Sequence, residues 1–214
     1  MRARYKPWAK PFIDENKNII LRFDDIEASS IFKDFISSNN LYLEIGSGKG
    51  KFMTSLAAKH PDLKFLCIEK VESVAAQFAK LVKANKLENI LIVCEDFEKI
   101  FPSIKRNSVS TIFLNHPDPW PKKRHWKKRL TSLKFLNEYK DILKKDGLLI
   151  LKTDNDDMFS YSIEQLKICD WNITYLEYNY KDDDEFDALT NYEENWQKKG
   201  VKIKRLKATY MGDK

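Results

Sequence analysis

Between residues 41 and 153, short apolar runs alternate with longer segments whose apolar residues recur every three or four positions. Leu41–Ile45, Leu63–Glu69, Asn89–Cys94, Val109–Asn115 and Leu148–Thr153 are too short for helices and are expected as strands. Lys49–Lys59 aligns Phe52, Leu56 and Ala57, and Val71–Lys83 aligns Val71, Val74, Ala75, Phe78, Leu81 and Val82, each on one helical face. A further helix is expected over Lys127–Lys144, ended by Gly147, and another over Met158–Lys167. Strands alternating with helices at these lengths imply an α/β fold: an open, mostly parallel sheet with helices on both faces. Trp171–Tyr180 and Val201–Tyr210 look like strands with no helix between them, which suits an antiparallel pair at one edge. Residues 1–24 look like a basic arm with short extended pieces, and Ile26–Ser37 like a short helix. The expected organisation is an arm and helix over 1–38 and one domain over 39–214.

Composition limits the choices. With 214 residues and 43% hydrophobic content, the chain is long enough for one packed core. The net charge of +6 is moderate, so its distribution matters more than its size. Basic residues gather at the N-terminus, over 122–129 and near the C-terminus, and acids gather over 182–187. The bland account of any one cluster is a solvated face. No apolar run reaches the ~20 residues of a membrane span, and the N-terminus lacks the apolar segment of a signal peptide. Cys67, Cys94 and Cys169 are widely spaced, and no Cys/His spacing suggests a metal. A soluble cytoplasmic protein without metal is expected.

In open α/β sheets, ligands bind beyond the carboxyl ends of the strands. The first of these strands ends in Leu43-Glu44-Ile45-Gly46-Ser47-Gly48-Lys49-Gly50. Gly46 and Gly48 allow a tight turn and close backbone approach to a ligand. The spacing is not the dinucleotide fingerprint G-x-G-x-x-G, and Glu44 suits a cationic ligand better than a pyrophosphate. A plain strand-to-helix turn is the simpler alternative. Glu69, 21 residues after Gly48, stands where an acid accepts hydrogen bonds from ribose hydroxyls, although it also suits a helix start. Asp96 ends the next strand and suits an adenine amino group, or a helix N-cap. Three acids at three successive strand ends describe a pocket for a cationic adenosine ligand without phosphate. S-adenosylmethionine fits.

The run from Asn115 to Arg129, N-H-P-D-P-W-P-K-K-R-H-W-K-K-R, follows the fourth strand. It sets Asp118 and Trp120 in a Pro-stiffened turn, and six of the eight residues from Lys122 to Arg129 are Lys or Arg. An acid and an aromatic ahead of a basic run suit a site that holds a base while gripping a polyanion. Trp120 has the alternative of packing its loop onto the sheet. Asp154, after the fifth strand, lies on the same edge and can face a second substrate or cap the next helix.

Leu43–Gly50, Pro117-Asp118-Pro119-Trp120-Pro121-Lys122-Lys123-Arg124-His125, Lys152-Thr153-Asp154 and Thr190-Asn191-Tyr192-Glu193 resemble bacterial tRNA (guanine-N7-)-methyltransferases of the TrmB type, over about residues 40–210. The resemblance implies a Rossmann-like class I fold. It also implies methyl transfer from S-adenosylmethionine to N7 of the variable-loop guanine of tRNA, position 46 by tRNA convention. It puts cofactor binding on Glu44, Glu69, Asp96 and Asp118, with Asp118 also catalytic. Substrate binding falls on Lys122, Asp154 and Thr190, Asn191, Tyr192 and Glu193. RNA contact falls on the run after Lys122: Lys123, Arg124, His125, Lys127, Lys128 and Arg129. His116 departs from the family, which often has an aromatic residue there. The alternatives are a methyltransferase acting on an exocyclic amino group, a nicotinamide-dependent oxidoreductase, and a non-catalytic RNA-binding module. Oligomeric state stays open, as monomer or homodimer.

Overall fold

The computed structural model describes residues 5–181, 184–190, 193 and 200–210. Its elements are α1 (Ala9–Glu15), β1 (Ile20–Arg22), α2 (Phe23–Ile26), α3 (Ser30–Ser37), β2 (Leu41–Ile45), α4 (Lys51–Lys59), β3 (Lys64–Ile68), α5 (Glu72–Ala84), β4 (Ile90–Cys94), α6 (Phe97–Ile100), β5 (Val109–Asn115), α7 (Leu133–Ile142), β6 (Leu143–Thr153), α8 (Asp156–Ile168), β7 (Trp171–Glu177) and β8 (Lys204–Tyr210). The strands form one eight-stranded sheet in the order β1-β4-β3-β2-β5-β6-β8-β7. The pairings from β1 to β6 are parallel, whereas β8 pairs antiparallel with both β6 and β7. The α/β architecture and its antiparallel edge are therefore as expected. The chain leaves β2 in one direction toward β3 and later returns on its other side as β5. That reversal puts the crevice at the carboxyl ends of β2 and β5.

Side chains alternate across the strands and divide the core between the two faces. Leu41, Leu43, Ile112 and Leu114 pack with Phe32 and Phe35 of α3, Leu136 and Tyr139 of α7, and Phe159 and Leu166 of α8. On the other face Phe65, Ile92 and Phe113 pack with Ile13 of α1, Phe52 and Leu56 of α4, and Phe78 and Val82 of α5. Ala188 packs there as well, and Lys59 Nζ donates to Asp187 O, so residues 184–190 form a strap beside α4. Phe186 of the strap stacks between His60, at a centroid distance of 4.7 Å, and Tyr42, at 5.6 Å.

Three local expectations are corrected. Part of the expected arm joins the sheet: Ile20, Leu21 and Arg22 pair with Ile92, Val93 and Cys94, and Ala9 and Ile13 of α1 are fully buried. The helix expected over Lys127–Lys144 begins only at Leu133. Before it, Lys123–Lys128 form 3-10 turns, because the Arg129 side chain and Ser132 Oγ bond back to loop carbonyls and hold that stretch out of the helix. Gly147 does not end a helix but lies in β6. Pairing with β5 jumps from Leu143 to Leu148, so the Gly147 region is an irregularity within the strand, and a Cβ on Gly147 would meet Leu143 Cδ2 at 2.9 Å.

Candidate active site

Glu44 enters the site because it lies near the carboxyl end of the buried central strand β2, where it lines the crevice. Its side chain is buried, and burial pushes its pKa up to about 7, against a hydrogen bond from Asn115 and the charge of Lys152. Asn115, the last residue of β5, donates from Nδ2 to Glu44 Oε1 at 2.8 Å. Glu44 Oε2 and Asn115 Oδ1 are both buried and make no hydrogen bond within the described residues. Two adjacent buried acceptors without donors are costly in an apolar interior, and an ammonium group offers donors to both.

The glycine turn forms the adjoining wall. Gly46 and Gly48 have φ of +79° and +57°, and a Cβ on either would meet no atom within 4 Å. The open space lies where a ligand would approach the backbone. Glu69, after β3, braces the turn: Oε2 accepts from Gly48 N at 3.0 Å and Oε1 from Val71 N at 2.8 Å. Burial raises its pKa despite these two bonds, and the charge of Asp118 adds to the rise. Glu44, Gly46, Ser47, Gly48, Asn115 and His116 are among the residues lining a cleft of about 190 Å³, with Thr190 closing it from the strap. The oxygens in and beside this cleft fit S-adenosylmethionine: unpaired acceptors on Glu44 and Asn115 for an ammonium, and the Glu69 carboxylate for hydroxyls. Asp96 is half-buried and caps α6, its Oδ1 accepting from Glu98 N at 3.3 Å. It is not among the residues that line the cleft, and the contact the structure shows for it is the cap.

The loop after β5 carries strain. His116 and Trp120 both have positive φ, 49° and 41°, although each precedes a proline, which disfavours that conformation. Arg129 over-determines this geometry. It is 1% exposed, donates from Nε to Pro119 O at 2.8 Å, and stacks on Trp126 at 4.7 Å and Tyr161 at 4.5 Å. Arg129 therefore turns inward, away from any polyanion, unlike the exposed Lys122, Lys123, Arg124, Lys127 and Lys128. Trp126 likewise packs on Tyr161, whereas Trp120 stays half-buried with His125 against its edge at 5.7 Å. Asp118 is exposed and is not among the residues that line the cleft, although its charge acts on Glu69.

Behind the cleft lies a buried ionic cluster that the sequence reading missed. Lys152 Nζ, 1% exposed, contacts Asp187 Oδ1 at 2.7 Å and Glu193 Oε1 at 3.0 Å, tying the strap to β6. Glu193 in turn accepts from Thr190 N at 2.7 Å, and Thr190 Oγ1 accepts from Glu193 N at 3.0 Å. Burial alone would raise Glu193, but His116, Lys152 and Thr190 together hold its pKa down to about 2. His116 sits between Asp154 Oδ1, 3.5 Å from Nδ1, and Glu193 Oε1, 3.6 Å from Nε2. Thr190 lines the cleft, and Asp154 and Glu193 flank His116, which also lines it, while Asn191 and Tyr192 lie outside the described residues. A lysine inside the apolar run of Leu148–Thr153 was the available signal for the cluster. For Asn115 the signal was its place at the carboxyl end of the strand beside β2.

Among the described residues no helix is long and apolar enough to cross a membrane, and no group of His, Cys, Asp or Glu could hold a metal ion. The fold is shared with a 16S rRNA methyltransferase, KamB, at TM-score 0.64 and 14% identity over 85% of this chain and 94% of that one. It is also shared with a methyltransferase from Aquifex aeolicus, at TM-score 0.56 and 15% identity over 96% and 98%. Residues 38–206 match the family model described as "Putative methyltransferase". A tRNA (guanine-N(7)-)-methyltransferase of Staphylococcus saprophyticus is 39% identical, covering 98% of this chain and 100% of that protein. One from Staphylococcus aureus is 37% identical with both chains fully covered. The chain belongs to the tRNA (guanine-N7)-methyltransferase family.

Proposed function

We propose that this protein transfers a methyl group from S-adenosylmethionine to N7 of the variable-loop guanine of tRNA, position 46 by tRNA convention. The full-length relatives support the reaction. The observation in the site that carries it is the pair of buried, donor-seeking oxygens on Glu44 and Asn115 beside an open glycine turn. Glu44 and Asn115 hold the ammonium of the donor, Glu69 its ribose hydroxyls, and Asp96 its adenine amino group. When bound, the donor supplies an electrophilic methyl group on a sulfonium.

Guanine N7 has an exposed lone pair and no proton to remove, so the residues need not include a strong base. Their work is alignment and electrostatic support. The ring becomes cationic as the bond forms, and a nearby carboxylate stabilises that charge. Asp118 and Asp154 fill this role, with Asp118 also reaching the donor. Lys122 stands nearest the chemistry on the basic side, and Thr190, Asn191, Tyr192 and Glu193 hold the base. Lys123, Arg124, His125, Lys127 and Lys128 grip phosphates without reading sequence. Arg129 supports them from within by fixing the loop. Because N7 lies on the major-groove edge, the base reaches the cleft flipped out or from an opened loop. The place of action is the cytoplasm, where tRNA is processed.

Nucleoside mass spectrometry of unmodified tRNA incubated with the enzyme and donor tests the reading. N7-methylguanosine is the expected product. Methylation on an exocyclic amine would support the amino-group alternative, and binding without turnover would support the RNA-binding module.

A further inference from the structure

The sequence reading left His116 without a role, and its surroundings supply one. It follows β5 directly, in a left-handed conformation that aims its ring under the cleft, with a side chain only 7% exposed. Each ring nitrogen faces a carboxylate: Nδ1 lies 3.5 Å from Asp154 Oδ1, and Nε2 3.6 Å from Glu193 Oε1. A neutral imidazole carries one N–H and would present a lone pair to the other acid. Only the imidazolium can donate toward both. We propose that His116, as the imidazolium, is a positioning residue that pins Glu193 and Thr190 toward Asp154, and so fixes the guanine-facing side of the cleft. The inference rests on the reading that Asp154 and the 190–193 segment hold the base.

Three charged groups of the described residues act on the ring. Asp154, after β6, and Glu193 favour its charge, while Lys152 of β6 opposes it. Glu44, Lys49 and Lys51 line the same cleft, and Asp118 follows two residues later in the loop. Burial works against the charge, yet the two carboxylates outweigh it and hold the His116 pKa above the ordinary imidazole value. Glu193 is also bound to Lys152 and to Thr190, so the strap keeps its place when the ring loses its proton. What is lost is the link between the strap and Asp154. The effect falls on turnover and not on folding. An aromatic residue at this position would pack similarly but could not make the link.

The test compares wild-type protein with His116→Gln and His116→Phe across about pH 6 to 9, reading N7-methylguanosine formation on tRNA. At the acidic end kcat/KM for tRNA should be about tenfold higher in the wild type, the effect of one buried ion-pair contact. The ratio should fall toward unity as pH rises through the His116 pKa, and titrations common to all three proteins cancel in it. Ring NMR of His116 should show titration above the ordinary imidazole value, moving down in Glu193→Gln. A ratio independent of pH, or a ring titration that ignores Glu193→Gln, overturns the pin. Wild-type protein that makes no N7-methylguanosine would instead overturn the reading of the activity, and the ring titration would then decide the pin alone.

Discussion

Asn115 Nδ2 donates to Glu44 Oε1 at 2.8 Å across the β2–β5 pair, at the point where the strand order reverses. The bond leaves the second oxygen of Glu44 buried without a hydrogen bond among the described residues, and burial holds the acid to a pKa of about 7. A site built this way is less stable empty than a neutral version of itself.

Glu44→Gln should therefore stabilise the ligand-free protein while removing donor binding. The acid ordinarily ionises near 4.5 and here near 7, so the folded state holds an extra proton between those values. Stability falls as pH rises through that window, by roughly 3 kcal/mol in total. Thermal melts at pH 8 should show a higher Tm for Glu44→Gln than for wild type, with the difference vanishing near pH 4. Calorimetry with S-adenosylhomocysteine should show no binding to the variant.

The glycine turn separates two kinds of damage. Gly50 has φ of +78°, and a Cβ there would lie 1.8 Å from Phe78 Cδ2, in a fully buried ring that cannot move aside. Gly50→Ala should fail to fold or lose more than about 4 kcal/mol. Gly48→Ala meets no atom but fills space at the cleft, so it should fold with a loss of about 1 kcal/mol and bind the donor poorly. Circular dichroism and donor titration distinguish the two.

Arg129 and its exposed neighbours should respond differently to salt. Arg129→Ala removes the clamp on the Pro119 carbonyl and leaves a void beside Trp126 and Tyr161, at a cost of about 3 kcal/mol. Its tRNA affinity should keep the wild-type salt slope. Lys123→Ala and Lys127→Ala should each lower the slope by about one, with little change in Tm. Filter binding over a salt series makes the comparison.

Lys152→Ala should destabilise the protein by about 3 to 5 kcal/mol, because it removes the nearest cation from the buried Asp187 and Glu193 and leaves them only the more distant Arg205 and His116. Chemical denaturation measures the loss. Lys152→Met, equally uncharged, should not rescue it.

Short strands and amphipathic helices made the sheet legible in the sequence, and the acids at its strand ends stood out because strand ends carry ligands in such folds. Glu44 and Glu69 could be placed by counting from the glycines. The ionic cluster could not, since Lys152 meets Asp187 and Glu193 only after the strap crosses from the antiparallel edge back to α4. Local sequence holds no trace of that crossing. Arg129 misled for a related reason: in a run of six basic residues, composition cannot tell which one turns inward. Gly147 looked like a helix stop because glycine suits both a helix exit and an irregular strand, and the pairing of Leu143 with Val109 decides between them.

On the proposed reading, Asp118 and the cleft lined by Glu44 and Asn115 together serve methyl transfer to guanine N7 in the variable loop. Unmodified tRNA should be incubated with labelled S-adenosylmethionine and either wild-type protein or Asp118→Ala, then cleaved chemically at N7-methylguanine and mapped. Cleavage at position 46 with wild type, falling at least about a hundredfold with Asp118→Ala, is the predicted result. Label at any other atom or nucleotide, or full activity in Asp118→Ala, would contradict it.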